Sequence, residues 1–165
     1  MNKRLATQML SIITLLCTWL LITTPVTAMT DLQGNPVKLE NIVGKGKWTV
    51  MKVWASDCHV CRQTIHYLSD FEVSFPEAEV YGISIDGQDA KAAAQAFVKQ
   101  YSLSFPNLLS DLSEINAYLN KAAGEDLYGT PTMLVFNPQG KLIAVQPGPV
   151  TADELIAFIK KEQQS

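Results

Sequence analysis

The apolar residues of this chain change period again and again after residue 48, and that alternation limits its possible folds more than any other feature. Residues 48–54 are an apolar run interrupted only by Thr49 and Lys52, which predicts a strand. Val60, Thr64, Tyr67, Leu68 and Phe71 follow at helical spacing, and residues 79–85 predict a second strand, closed by Asp86-Gly87. Ala90, Ala93, Ala94, Phe97, Val98 and Tyr101 form a helical stripe with Asp89 as its cap. Asp111-x-x-Glu114 opens a short helix carrying Leu112, Ile115, Leu119 and Ala122. Strands at 132–136 and 142–146 are joined by Asn137-Pro138-Gln139-Gly140, and Thr151-x-x-Glu154 caps a last helix that buries Leu155, Phe158 and Ile159.

An order of strand, helix, strand, helices, two strands and helix predicts one α/β domain, its central mixed sheet flanked by helices. The last two strands are close enough for a hairpin, whereas the earlier ones need crossovers. Ahead of this unit, Asp31-Leu32-Gln33-Gly34-Asn35 predicts a turn and Val37-Lys38-Leu39 a short strand, together an N-terminal extension on the same core. No repeat, linker or compositional break divides the chain after Thr30.

Residues 1–28 are of another kind. Lys3 and Arg4 precede an uncharged run from Leu5 to Ala28 that closes with Pro25-Val26-Thr27-Ala28. A basic start, a short apolar middle and small residues before a cut predict a secretory signal, cleaved after Ala28, with a domain of residues 29–165 behind it. The alternative is a membrane anchor, since residues 5–28 are long enough to span a bilayer if tilted. Either way the domain is expected in a periplasmic or other extracytoplasmic compartment, where disulfides persist. Without Lys3 and Arg4, 11 of the 13 Lys and Arg remain against 16 Asp and Glu. That balance lacks the basic excess of a nucleic-acid binder, and a hydrophobic content of 47% excludes a disordered scaffold.

Removing the leader also removes Cys17, leaving Cys58 and Cys61 as the only cysteines of the domain. They lie in Trp54-Ala55-Ser56-Asp57-Cys58-His59-Val60-Cys61, where the strand hands over to a helix. A thiol at a helix N-terminus faces unpaired N–H groups and the positive end of the dipole, which favour the nucleophilic thiolate. Two intervening residues let one helical turn bring the sulfurs within bonding reach. Cys58 is then expected to attack a substrate disulfide and Cys61 to resolve the mixed disulfide, with no cofactor and no metal. The alternative is a copper-binding or delivery module using Cys58, Cys61, His59 and His66, because soft thiolates suit Cu(I). Zinc is disfavoured by the lack of a second ligand pair, and haem attachment by Arg62 after Cys61.

Trp54-Ala55-x-x-Cys58-x-x-Cys61-Arg62, Gly129-Thr130-Pro131-Thr132 and Asn137-Pro138-x-Gly140-Lys141 resemble the thioredoxin fold, more narrowly the exported TlpA/ResA-type thiol–disulfide oxidoreductases. Residues 81–86 and 97–106 resemble that group's central helical insertion, and the likeness runs from about residue 32 to residue 160. It implies a cis peptide before Pro131 beside the cysteines, with Thr130 and Pro131 receiving the substrate segment. Protein thiols and disulfides are the implied substrates. The resemblance also implies reduction or thiol maintenance, including thiols used in cytochrome c maturation, with electrons from a membrane-bound redox partner.

The departures from that pattern are charged. Asp57 stands where Trp usually precedes the first cysteine, and its charge disfavours a neighbouring thiolate; His59, when protonated, acts the other way. Lys52 takes a place that resembles the buried Asp or Asn of such chains, on the same strand face as Trp54. These three are the expected redox-tuning residues. Each also has a plain structural reading: Lys52 snorkelling from a strand edge, Asp57 as a helix cap, His59 as a solvated surface group. Thr64 and His66 occupy places where the family often has Glu and Pro.

Overall fold

In the computed structural model, which describes residues 29–164, six strands form one sheet: β1 (Thr30–Asp31), β2 (Thr49–Trp54), β3 (Glu79–Ser84), β4 (Asn107–Leu109), β5 (Thr132–Phe136) and β6 (Leu142–Pro147). The leader, its cut after Ala28 and the alternative anchor at 5–28 lie outside the described residues. Among those described, no helix is long and apolar enough to cross a membrane.

The strand order is β1-β4-β3-β2-β5-β6. β2 runs parallel to β3 and β3 to β4, while β5 pairs antiparallel with β2, β6 with β5, and β1 with β4. The sheet is mixed, as the element order predicts. β2 is central, with Val50 opposite Val80 on one side and Val135 on the other, and all six of its residues are buried. A strand paired at both edges and covered on both faces reads as a continuous apolar run, which is why residues 48–54 show so little alternation.

Among the described residues, five helices cover the sheet: α1 (His59–Thr64), α2 (His66–Ser74), α3 (Lys91–Gln100), α4 (Leu112–Ala123) and α5 (Ala152–Glu162). Val50 and Trp54 of β2 point into a cluster with Cys61, Ile65, Leu68, Phe71, Phe97, Leu155 and Ile159, drawn from α1 to α3 and α5. Met51 and Val53 point the other way, against Leu39, Ile115, Leu119 and Leu134. The caps read from sequence form as expected on two helices. Asp111 Oδ1 accepts the Glu114 N–H at 2.9 Å. Thr151 and Glu154 make a reciprocal capping box, with Thr151 N–H on Glu154 Oε2 at 2.9 Å.

Three expectations are corrected. Asp89 is not the cap of α3: a 3-10 turn at Gln88–Ala90 moves the helix start to Lys91, and Ala90 stands at the cap. Residues 37–39 form no strand. Asp31 Oδ1 collects the N–H groups of Gln33, Gly34 and Asn35, folding the chain so that Pro36 bridges Thr30. Pro36 has no N–H to extend that ladder, and Leu39 enters the core from a 3-10 turn at Leu39–Asn41. The single helix read after Cys61 is two, broken at Ile65. Strand β4, three residues long, is too short to show a period and was not expected.

Candidate active site

Cys58 is the N-cap of α1, half-buried, and Cys61 lies one turn on, fully buried behind it. The two are joined as a disulfide with Cα atoms 5.2 Å apart. Cys58 Sγ accepts the Cys61 backbone N–H at 3.0 Å, the bond that would stabilise a thiolate at the same atom once the disulfide opens. Asp57 therefore caps no helix; the nucleophile occupies the cap itself.

The loop between β2 and α1 is fixed at a point the sequence did not reveal. Asp86, just past β3, accepts the Ser56 N–H at 3.0 Å and the Ser56 hydroxyl at 3.1 Å on Oδ1, and the Ser84 hydroxyl at 2.7 Å on Oδ2. Arg62 Nη1 donates to Ser56 O at 2.9 Å from the other side. Ser56 and Asp86 are 30 residues apart, and only the parallel pairing of β2 with β3 brings them together. Behind the loop, Trp54 stacks on Phe97 with ring centroids 4.3 Å apart and donates from Nε1 to Asn107 Oδ1 at 3.2 Å. That bond crosses the backbone of Gly82, where a Cβ would meet Asn107 and come 2.8 Å from Trp54 Nε1. A methyl group there would force the Asn107 and Trp54 side chains to move.

The Thr130–Pro131 peptide is cis, and Thr130 O lies 3.5 Å from Cys58 Sγ. The disulfide has no S–H to donate across that gap; the dithiol does. Thr132 Oγ1 donates to Gly129 O at 2.7 Å and closes the turn that presents Thr130.

Lys52 is 1% exposed, which overturns the snorkelling reading: β2 is central and offers no edge to escape from. Its ammonium donates to Thr64 O at 2.6 Å and Thr64 Oγ1 at 3.2 Å. Thr64 Oγ1 in turn donates back to Val60 O at 2.8 Å, and Leu68 N–H turns to Ile65 O in place of Thr64 O. Lys52 thus claims the carbonyl that a continuous helix would use, and this explains the break between α1 and α2. Burial lowers the Lys52 pKa from 10.5 to about 8. Thr64 is the polar partner of this cation and stands one helical turn from Cys61.

Asp57 and His59 are exposed on either side of Cys58. His66, exposed at the start of α2, packs edge-on against Tyr67 with centroids 4.5 Å apart. No group of three or more His, Cys, Asp or Glu among the described residues is placed to hold a metal ion. The structure brings Cys58, Cys61, Thr130 and Pro131 to one end of the sheet, puts Asp57 and His59 at its solvent side and Lys52 beneath α1.

Residues 23–145 match the model of the AhpC/TSA family. The chain belongs to that family. It is 29% identical over 133 residues to the thiol–disulfide oxidoreductase ResA of Bacillus thuringiensis subsp. konkukian, covering 81% of this chain and 72% of the relative. Among solved structures it resembles the thioredoxin domain of a thiol–disulfide oxidoreductase from Bacteroides vulgatus, with a TM-score of 0.63 at 23% identity over 86% of this chain and 97% of the other. A DsbF homologue from Corynebacterium diphtheriae gives a TM-score of 0.65 at 25% identity, over 81% and 85%. The fold is thioredoxin-like, and with its Cys58–Cys61 pair this AhpC/TSA-family chain is a thiol–disulfide oxidoreductase of the ResA type.

Proposed function

We propose that this oxidoreductase works outside the cytoplasm as a disulfide reductase or thiol-maintenance protein. Residues 1–28 serve as its leader and 29–165 as its working domain. One observation carries the reading: a half-exposed cysteine at a helix N-cap, its sulfur accepting an N–H, with the second cysteine wholly buried one turn behind. Only Cys58 is open to a protein disulfide, and Cys61 is placed to attack Cys58 from within. The Cys58 thiolate attacks the substrate, Cys61 displaces it, and the substrate leaves as a dithiol while the pair closes. Thr130 and Pro131 border the sulfur and receive the substrate backbone.

Lys52, Asp57 and His59 set the balance between dithiol and disulfide. Lys52 is the internal charge of the three, and a buried cation one turn from Cys61 favours thiolate over thiol. Protein thiols, including those used in cytochrome c maturation, are the substrates, and a membrane-bound reductant reopens the pair. No observation favours the copper-module reading.

The test has two parts. The reduced protein should reduce insulin in the presence of a dithiol, and Cys61→Ser should hold substrates on Cys58 as stable mixed disulfides. In cells, alkylation should find the pair mainly as dithiol, turning to disulfide when the membrane reductant is removed. A pair held as disulfide in cells with that reductant present would reverse the direction, and stoichiometric copper binding without turnover would replace the function.

A further inference from the structure

Large apolar side chains stand exposed at four places among the described residues: Val60 at 40%, Val73 at 81%, Leu112 at 50% and Tyr128 at 78%. Three of them gather at the end of the sheet that carries the disulfide. Val60 lies inside the Cys-x-x-Cys turn. Tyr128 comes two residues before Thr130, whose carbonyl is 3.5 Å from Cys58 Sγ, so its Cα lies within about 7 Å of that of Thr130. Leu112 follows Asp111, which bridges Asp86, the residue that holds Ser56. Val73 is apart, near the end of α2.

The loop that bears Tyr128 is held on both sides. Leu127 is buried and its N–H donates to Asn116 Oδ1 at 2.7 Å, and Thr132 Oγ1 holds Gly129 O. An aromatic ring projecting from a fixed loop offers contact area at a small cost in conformational entropy. Around it the charge is acidic. Asp57, Glu125 and Asp126 are exposed, while Arg62 is half-buried and committed to Ser56 O, which leaves His59 as the ionisable base on the loop and turn beside the sulfur.

We infer that Val60, Tyr128 and Leu112 form a docking surface for an extended, cysteine-bearing segment of a client protein, with apolar residues beside the client cysteine and cationic residues farther out. This rests on the exchange chemistry proposed above and names the class of client it selects. Cys58 thiolate attacks one sulfur of the client disulfide, and the other sulfur leaves as a thiolate and takes a proton. Cys61 thiolate then attacks Cys58 sulfur, the first client sulfur leaves and is protonated, and two electrons have passed to the client. A dithiol donor returns the pair to its reduced state.

The test compares rates of reduction by the full-length, pre-reduced protein on three disulfides. Two are peptides of equal length with one internal disulfide, one flanked by Leu and Phe with outer Lys, the other by Ser and Gly with outer Glu. The third is hydroxyethyl disulfide, which has no flanks. The apolar, cationic peptide should be reduced at least about tenfold faster than the acidic one at low salt, with the gap narrowing as salt rises. Tyr128→Ala should lower the rate on that peptide about fivefold more than on hydroxyethyl disulfide, and Val73→Ser should leave both rates as they were. Equal rates on the two peptides, or a Tyr128→Ala loss shared alike by all substrates, overturns the docking surface while hydroxyethyl disulfide reduction keeps the exchange chemistry standing. Failure to reduce hydroxyethyl disulfide overturns both.

Discussion

Replacing Lys52 by Met removes a 1%-exposed ammonium and keeps an unbranched apolar stem in its place. The folded-state pKa of Lys52 is about 8, against 10.5 in a solvated chain, because burial penalises its charge. Between those values the unfolded chain holds more protons than the folded one, so stability rises with pH across the window. At about 1.4 kcal/mol per pH unit the difference amounts to about 3 kcal/mol. Urea unfolding of the oxidised wild type and Lys52→Met from about pH 7 to about pH 10.5 isolates this group, since every other titration is common to both. The wild type should gain about 3 kcal/mol on the variant through that window. The same substitution should lower the reduction potential by roughly 30 mV, the equivalent of about 1.4 kcal/mol for a two-electron couple, because a thiolate-stabilising cation is lost. Parallel pH curves would refute burial as the governing effect, and an unchanged potential would refute the cation's part in the chemistry.

Other substitutions test other parts of the site. Gly82→Ala should destabilise the protein by about 1–3 kcal/mol in urea unfolding, since the methyl group displaces the Trp54–Asn107 bond and strains the strand behind the loop. Asp86→Ala leaves the Ser56 N–H and two hydroxyls without their acceptor. It should cost about 1–3 kcal/mol in the same measurement and alter the alkylation rate of Cys58 in the reduced protein. Thr151→Ala removes one half of the α5 capping box. It should cost about 1 kcal/mol in the same measurement.

The elements that sequence revealed best are those whose pattern is set locally. β2, β5 and β6 announced themselves by apolar runs and a turn, and α4 and α5 by cap residues three apart from their partners. What escaped was set by contacts distant in the chain. β4 exists because β3 and β1 flank it, not because three residues prefer extension. The helix break at Ile65 depends on Lys52, 12 residues before Thr64 and on another element. At the site, Cys58 and Cys61 were legible from spacing, and the cis peptide at Pro131 from resemblance. Asp86 looked like the end of a strand, because nothing local marks a carboxylate that will hold a loop 30 residues earlier. Lys52 was legible as unusual, but its burial followed only from the central position of β2.

The most direct measurement equilibrates the protein with dithiothreitol redox buffers, quenches with an alkylating agent and reads Cys58 and Cys61 by peptide mass. A single two-electron transition is expected, in which both cysteines gain or lose protection together. A pair that stays closed under strongly reducing buffer, or opens and never re-forms under oxidising buffer, would contradict it.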